Sequence, residues 1–370
     1  MTATGPTTPL ERAPVAEAPL LSVNDLHVTF RGRSGQDSRN SVYAVRGVSF
    51  GLGRGDTVGL VGESGSGKSV TALSLVGLLP DTADVTARAI TLADEPITGL
   101  SPKAMRALRG RRLAMVFQDP MTSLNPLMPI GRQVAEMLTT HERGLSRAER
   151  RQRVIDLLAD VRIPEPDKRY KSFPHEFSGG MRQRVMIAMA MALRPEVLIA
   201  DEPTTALDVT IQDQILRLMR RLQRESGTSI LLITHDLGVV ASLCSRVLVM
   251  YAGLILEEAP VDQLFARPLH PYTLGLLGSL PSARADTDEP LQSIPGQPPD
   301  MTNPPPGCPF VDRCQHARAR CQTHRPPYYS VGAGHRSLCW LLDPAAPADG
   351  NPFAGVTATA LAETAEKVSP

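Results

Sequence analysis

Short, nearly unbroken apolar runs recur along this chain, and each stops abruptly at polar residues. They are Thr57-Val58-Gly59-Leu60-Val61, Leu113-Ala114-Met115-Val116-Phe117, Val197-Leu198-Ile199-Ala200, Ser229-Ile230-Leu231-Leu232-Ile233 and Val247–Tyr251. Runs this short and this rich in branched residues predict strands buried on both faces. Helical signals lie between them. Ser101 with Pro102 makes an N-cap followed by a first-turn proline, the stretch 121–194 is helical with breaks at Pro164 and Pro174, and a further helix is expected over 209–224. Strands alternating with helices predict an α/β domain built on a mainly parallel sheet. Ahead of it, Leu21–Phe30 alternates apolar and polar, and Val42–Leu52 resumes as strand, giving an antiparallel β start. Asp81–Thr98 reads as polar with short strands.

Past Pro268 the pattern dissolves, and prolines crowd between Pro281 and Pro327. The expected organisation is therefore a main domain over 21–267, with a helical part at about 119–194, followed by an extension over 268–342. The ends, 1–20 and 343–370, read as a disordered lead and tail.

The chemistry sits where the apolar runs stop. Directly after Val61 comes Gly62-Glu63-Ser64-Gly65-Ser66-Gly67-Lys68-Ser69, followed by the helical Val70–Val76. A glycine-rich loop between strand and helix points its N–H groups inward and, with the helix N-terminus, forms a nest for polyphosphate. Lys68 then reaches the β- and γ-phosphates and the Ser69 hydroxyl binds Mg2+. Asp201 ends another run and is the expected Mg2+ partner, and Glu202 beside it can deprotonate a water. Gln118 and His235 end two more runs and can face the metal, the water or the γ-phosphate. Parallel sheets bind ligands at the carboxyl ends of their strands, and all these groups stand at such ends. A second anion site is written in Ser178-Gly179-Gly180, where an N-cap serine and two glycines open an apolar helix.

Composition narrows the classes. Lys+Arg 39 against Asp+Glu 38 leaves a charge of +1, and aromatics are 4%, which argues against a nucleic-acid partner. No apolar run nears the ~20 residues of a membrane span. Met1–Leu20 lacks the basic and apolar regions of a secretion signal, so a cytoplasmic location is expected.

With these segments in view, the chain resembles the ATP-binding cassette family over about 21–268. The matching stretches are Gly62–Ser69, Gln118, Ser178-Gly179-Gly180, Val197–Glu202, Ala206-Leu207-Asp208 and His235. The resemblance implies a P-loop ATPase with an N-terminal antiparallel β subdomain and a helical subdomain. By it Tyr43 stacks on adenine, Val70 flanks the phosphate site and Glu202 is the catalytic carboxylate. Ser178, Gly179, Gly180 and Asp208 address the ATP of a second subunit. Met181 stands where the commonest signature has Gln. The phrases Arg267–Thr273, Ile294–Pro299 and Gly307-Cys308-Pro309-Phe310 with Arg313-Cys314 are similar to the C-terminal extension of oligopeptide/dipeptide importer ATPases. That implies a peripheral subunit on the cytoplasmic face of the membrane. Its implied partners are two permease subunits, a second, paralogous ATP-binding subunit and an extracytoplasmic solute-binding protein. Nickel or glutathione import, or a soluble ATPase acting on nucleic acid, are the alternatives.

Cys244 lies alone in an apolar run and reads as a buried structural thiol. Cys308, Cys314, Cys321 and Cys339 instead cluster in the extension. A cytosolic cluster points to metal before disulfides. The spacing has no close C-x2–4-C pair, a poor match for zinc, whereas four thiolates gathered by a Pro-rich segment with little regular core of its own can hold a [4Fe–4S] cluster. The resemblance favours the cluster; zinc, free thiols and disulfides are the other readings.

Overall fold

The structure is a computed structural model that describes residues 18–32, 41–205, 207–280, 293–332 and 334–361. The N-terminal alternation becomes an antiparallel pair, β1 (Leu21–Phe30) and β2 (Val42–Leu52). The first of the apolar runs is β3 (Thr57–Val61), which leads into the helix Lys68–Leu75. Three short strands follow, β4 (Ala83–Thr86), β5 (Ala89–Leu92) and β6 (Glu95–Pro96). They complete a five-stranded sheet ordered β2-β1-β5-β6, with β4 also on β1.

The remaining apolar runs are β7 (Leu113–Val116), β8 (Val197–Asp201), β9 (Ser229–Thr234) and β10 (Arg246–Tyr251). A tight turn at Gly253 (φ +77°) then folds β11 (Leu254–Pro260) back antiparallel to β10. The extension adds β12 (Tyr329–Ser330), β13 (Arg336–Ser337) and β14 (Thr359–Ala360). Among the described residues the second sheet runs β14-β12-β13-β11-β10-β3-β9-β8-β7. Its β10-β3-β9-β8-β7 part is parallel, as the continuous apolar runs require.

The runs hide a two-residue period. Ala114, Val116, Leu198, Ala200, Ile230 and Leu232 pack into one core with the helical segment. Their neighbours Leu113, Val197, Ile199, Leu231 and Ile233 face the opposite side, towards the antiparallel sheet. Each strand is apolar throughout because both of its faces are covered. The helical segment comprises Pro120–Ser123, Ile130–His141, Arg147–Asp160, Pro166–Arg169 and Gly179–Met191. Beyond the two expected proline breaks, further breaks fall before Ile130 and at Glu142–Ser146. At the latter Ser146 and Glu149 form a capping box, a local hydrogen-bonding signal that apolar periodicity does not carry.

Two expectations about the C-terminal part need correction. The extension is not poor in regular core. Cys308, Phe310, Tyr329, Trp340 and Leu342 pack with Tyr251, Leu254 and Leu256 of β10 and β11 in one apolar cluster. Nor is all of 343–370 a loose tail. Phe353 and Ala358 are buried, and β14 pairs with β12. The contributors are spaced singly, so no helical or strand period announces them. Residues 362–370 and 1–17 lie outside the described residues.

Candidate nucleotide site

Every strand that ends in a chemical residue is parallel to its neighbours, so the ends converge on one edge of the sheet. β3 delivers Gly62, β8 delivers Asp201 and Glu202, β9 delivers His235, and β7 leads by two residues to Gln118.

The loop after β3 needs glycine at two places. A Cβ on Gly62 would lie 2.0 Å from the Met250 carbonyl oxygen, and one on Gly67 (φ +106°) would lie 2.5 Å from that of Ala44. Any side chain at either would force the backbone apart. Ser64 and Gly65 form the exposed tip, and Ser66, Gly67 and Lys68 are buried. The Ser66 carbonyl accepts from Gly253 N (2.9 Å), and its hydroxyl is buried without a partner. Val70 is half-buried in the first turn of the helix.

Lys68 Nζ donates to the carbonyls of Gly62 (2.8 Å) and Glu63 (2.9 Å). Burial lowers its pKa, and the nearby Glu202, Asp201 and Glu63 carboxylates oppose that. Ser69 Oγ donates to Asp201 Oδ1 at 3.0 Å, which puts two hard oxygen donors side by side. Burial raises the pKa of Asp201, and the Glu202 charge adds to the rise.

Glu202 is the hub. Its carboxylate accepts from Gln118 Nε2 (2.9 Å) and Thr205 Oγ1 (2.8 Å), and it lies 3.3 Å from His235 Nδ1. Burial would raise its pKa, but the Thr205 and His235 bonds and the Lys68 charge outweigh burial and hold it below the ordinary value. Its backbone is left-handed, φ +46°. A carboxylate kept ionised beside a metal-type donor pair can activate water.

Tyr43 stands 39% exposed at the start of β2, and the next residue, Ala44, abuts Gly67. Ser178 caps the helix Gly179–Met191, its Oγ accepting from Met181 N (3.3 Å). Asp208 caps Val209–Ser226 in the same way. Gly180 is tightly packed, since a Cβ there would meet Ile211 Cγ2 at 2.6 Å. Ser178, Gly179, Gly180 and Asp208 share no hydrogen bond with the strand-end network among the described residues. Ala206 lies outside those residues.

The sequence reading missed three partners. Thr205 follows Glu202 by one turn, a placement visible in the chain but ordinary for threonine. Tyr272 OH accepts from Glu63 N (2.9 Å), and Arg313 Nη1 donates to Glu63 Oε2 (2.7 Å). Both lie more than 200 residues from the loop, and no local signal joins them to it.

The four cysteines are neighbours. Cys308 N donates to the Cys321 carbonyl (2.8 Å), and the Cys339 thiol feels Cys308, Cys314 and Cys321. Burial pushes Cys308 up to about 12 and raises Cys314 and Cys339. All are free thiols. Among the described residues no three His, Cys, Asp or Glu side chains form a group able to hold a metal ion. The expected iron–sulfur or zinc centre therefore has no preformed ligand group among the described residues. Cys244 is half-buried, and burial pushes its thiol up to about 12 as well.

Residues 45–205 match the family model described as ABC transporter, and 256–321 match one described as oligopeptide/dipeptide transporter, C-terminal region. The oligopeptide transport ATP-binding protein OppD of Bacillus subtilis is 50% identical over 89% of this chain and 90% of its own length. The chain belongs to the ABC transporter family. The dipeptide transport ATP-binding protein DppD of Lactococcus lactis is 47% identical over 90% of this chain and 94% of that ABC protein. A solved ABC cassette, MJ0796 bound to ADP and Pi in a dimeric post-hydrolysis state, matches with TM-score 0.58 and 27% identity. That likeness covers 65% of this chain and 98% of the MJ0796 chain. Among the described residues of this ABC protein, no helix is long and apolar enough to cross a membrane.

Proposed function

We propose that this chain is the ATP-hydrolysing subunit of an importer for oligopeptides or dipeptides. The observation that carries it is the convergence of Lys68, Ser69, Asp201, Glu202, Gln118 and His235 on one sheet edge, with Ser69 bonded to Asp201 and with Gln118 and His235 on Glu202. The phosphate loop Gly62–Ser69 and Val70 would hold the triphosphate, and Tyr43 would stack on adenine. Ser69 and Asp201, with Gln118, would hold Mg2+, whose chemistry is to neutralise the phosphate charge. Glu202 is the general base, oriented by Gln118, Thr205 and His235. Ser178, Gly179, Gly180 and Asp208 serve the ATP of a second cassette, which explains why they stand apart from the strand-end network. Lys68→Ala should abolish binding of an ATP analogue to the purified chain. Unchanged affinity would sink this assignment.

Two permease subunits are the proposed partners at the cytoplasmic face, with a solute-binding protein on the outside. Support comes from an apolar groove of about 210 Å3 between Leu78, Phe117, Leu124, Met137 and Met189, beside Gln118. Around it Phe117 is 37% and Met121 62% exposed, and the nearby Leu127 is 87% exposed. Such side chains are costly to leave in water and suit a docking surface. With Met181 in the signature, the second cassette is proposed to be a paralogue. Purifying the tagged chain from its native membrane should recover a second, different ATP-binding subunit. Recovery of permease with this ATPase alone would leave a homodimer.

We further propose a structural [4Fe–4S] cluster on Cys308, Cys314, Cys321 and Cys339. The four soft donors are neighbours in the apolar cluster of the extension and fit it in kind. Thiolates there are costly without a cation, so the bound group would stabilise the extension.

A further inference from the structure

Glu63 is held from three directions. Its N–H donates to the Tyr272 hydroxyl (2.9 Å), its carbonyl accepts from Lys68 Nζ (2.9 Å), and its carboxylate accepts from Arg313 Nη1 (2.7 Å). Lys68 must release that carbonyl to reach a phosphate. The other two holds come from the region 256–321, outside the matched cassette 45–205.

Arg313 reaches Glu63 already fixed in place. Its Nε donates to the Pro295 carbonyl (2.9 Å) and its Nη2 to that of Ile294 (3.2 Å). The guanidinium lies 5.7 Å from the centroid of the Tyr251 ring and 5.9 Å from that of Phe310. The Arg313 side chain is 6% exposed and that of Glu63 26%. Exposed ion pairs contribute little, but a buried guanidinium already held by two backbone carbonyls loses less entropy in the pair and is screened by less water. Removing it leaves a carboxylate unpaired beside the glycines that wrap the phosphates, where a negative charge repels the ligand.

We infer that Arg313 is a positioning residue for nucleotide binding: it holds and neutralises Glu63 so that the loop receives polyphosphate without a bare carboxylate beside it. This deepens the ATP-binding reading and rests on it. It also makes the C-terminal extension a working part of the nucleotide site. A shift of the segment that carries Arg313 would be felt at Glu63 directly.

The test is the affinity of the full-length chain for a fluorescent ATP analogue. Arg313→Met should weaken binding about tenfold, the scale of one lost charge-assisted contact. Glu63→Gln, which removes the charge that Arg313 neutralises, supplies the second background, and in it Arg313→Met should have little further effect. The double variant Arg313→Met/Glu63→Gln should therefore bind within about twofold of Glu63→Gln alone, a coupling that a purely structural role for Arg313 does not predict. Should Arg313→Met not fold, Arg313→Gln, which keeps a donor for the backbone carbonyls, is read in the same way. Wild-type affinity in the single Arg313 variant, or a double variant about tenfold weaker than Glu63→Gln, would overturn the inference. Failure of the wild-type chain to bind the analogue would sink the ATP-binding reading and this one together. Loss of binding in Lys68→Ala with an unaffected Arg313→Met would remove this inference alone.

Discussion

The strand-end site and the four-thiol pocket are both clusters of polar groups drawn from distant parts of the chain, yet they are built in opposite ways. At the strand ends the groups are partnered with one another, as in Ser69 to Asp201 and Gln118 to Glu202, and the cluster opens to water. In the extension, Cys308, Cys321 and Cys339 are buried among apolar side chains, and burial raises the thiols of Cys308 and Cys339. One region is organised before any ligand arrives. The other has four thiols gathered in apolar surroundings, with no ligand group formed among the described residues. A regular sheet sets the spacing of the first, whereas irregular chain sets that of the second.

The sharpest way to break the comparison is at Glu202. Glu202→Gln should keep ATP binding and lower turnover by roughly 10²–10⁴-fold, the usual scale for a lost general base. Wild-type hydrolysis in the assembled transporter would mean that the hub is structural. The carboxyl is held below its ordinary pKa, so it stays ionised as pH falls through the usual carboxylate range, and this step should not fail there first.

The matching probe in the extension is Cys339→Ser. Anaerobically purified wild type should carry about four irons per chain and absorb near ~400 nm, as four thiolates on a [4Fe–4S] cluster imply. The variant should lose the iron and bind ATP as before. Cys314 is the less clean choice, because its neighbour Arg313 touches the phosphate loop. A colourless preparation with one zinc would replace the cluster by a single ion.

A smaller effect separates the regions by pH. Burial drives His270 down to about 3, from an ordinary value near 6.5. The folded protein therefore refuses a proton that the unfolded chain accepts. Stability is fully present above about 6.5 and is lost as pH falls from there towards 3, by at most a few kcal/mol. His270 Nδ1 accepts from Tyr272 N (3.0 Å), a cap that asparagine can supply. Urea unfolding of His270→Asn at pH 8 and pH 5 should give a pH dependence flatter by up to one proton. Equal slopes would remove His270 as the cause.

What the sequence could reveal follows the same division. Strand ends are legible because an apolar run marks each strand and its last residue is fixed to the sheet edge. Gly62, Asp201, Glu202 and His235 were all readable in that way. The helix breaks at Glu142–Ser146, the buried Phe353 and the β12–β13 pair were not, because each depends on a single side chain or on two paired residues. Arg313 and Tyr272 were legible as parts of a similar extension, but nothing local tells that they reach Glu63. Contacts made across more than 200 residues of chain leave no period to read.

The place of β3 in its sheet bears on how the protein comes to be made. It lies between β9 and β10, so its first parallel partner, Ser229–Thr234, follows it by about 170 residues, as the paired positions Thr57 and Ile230 show. During synthesis the antiparallel sheet, all within residues 21–96, can close on local contacts while β3 waits with both edges bare. Closing so long a loop is slow, and the hydroxyl and guanidinium that hold Glu63 emerge later still. The stretch that organises the finished molecule is thus among the first to leave the ribosome and among the last to take its final form.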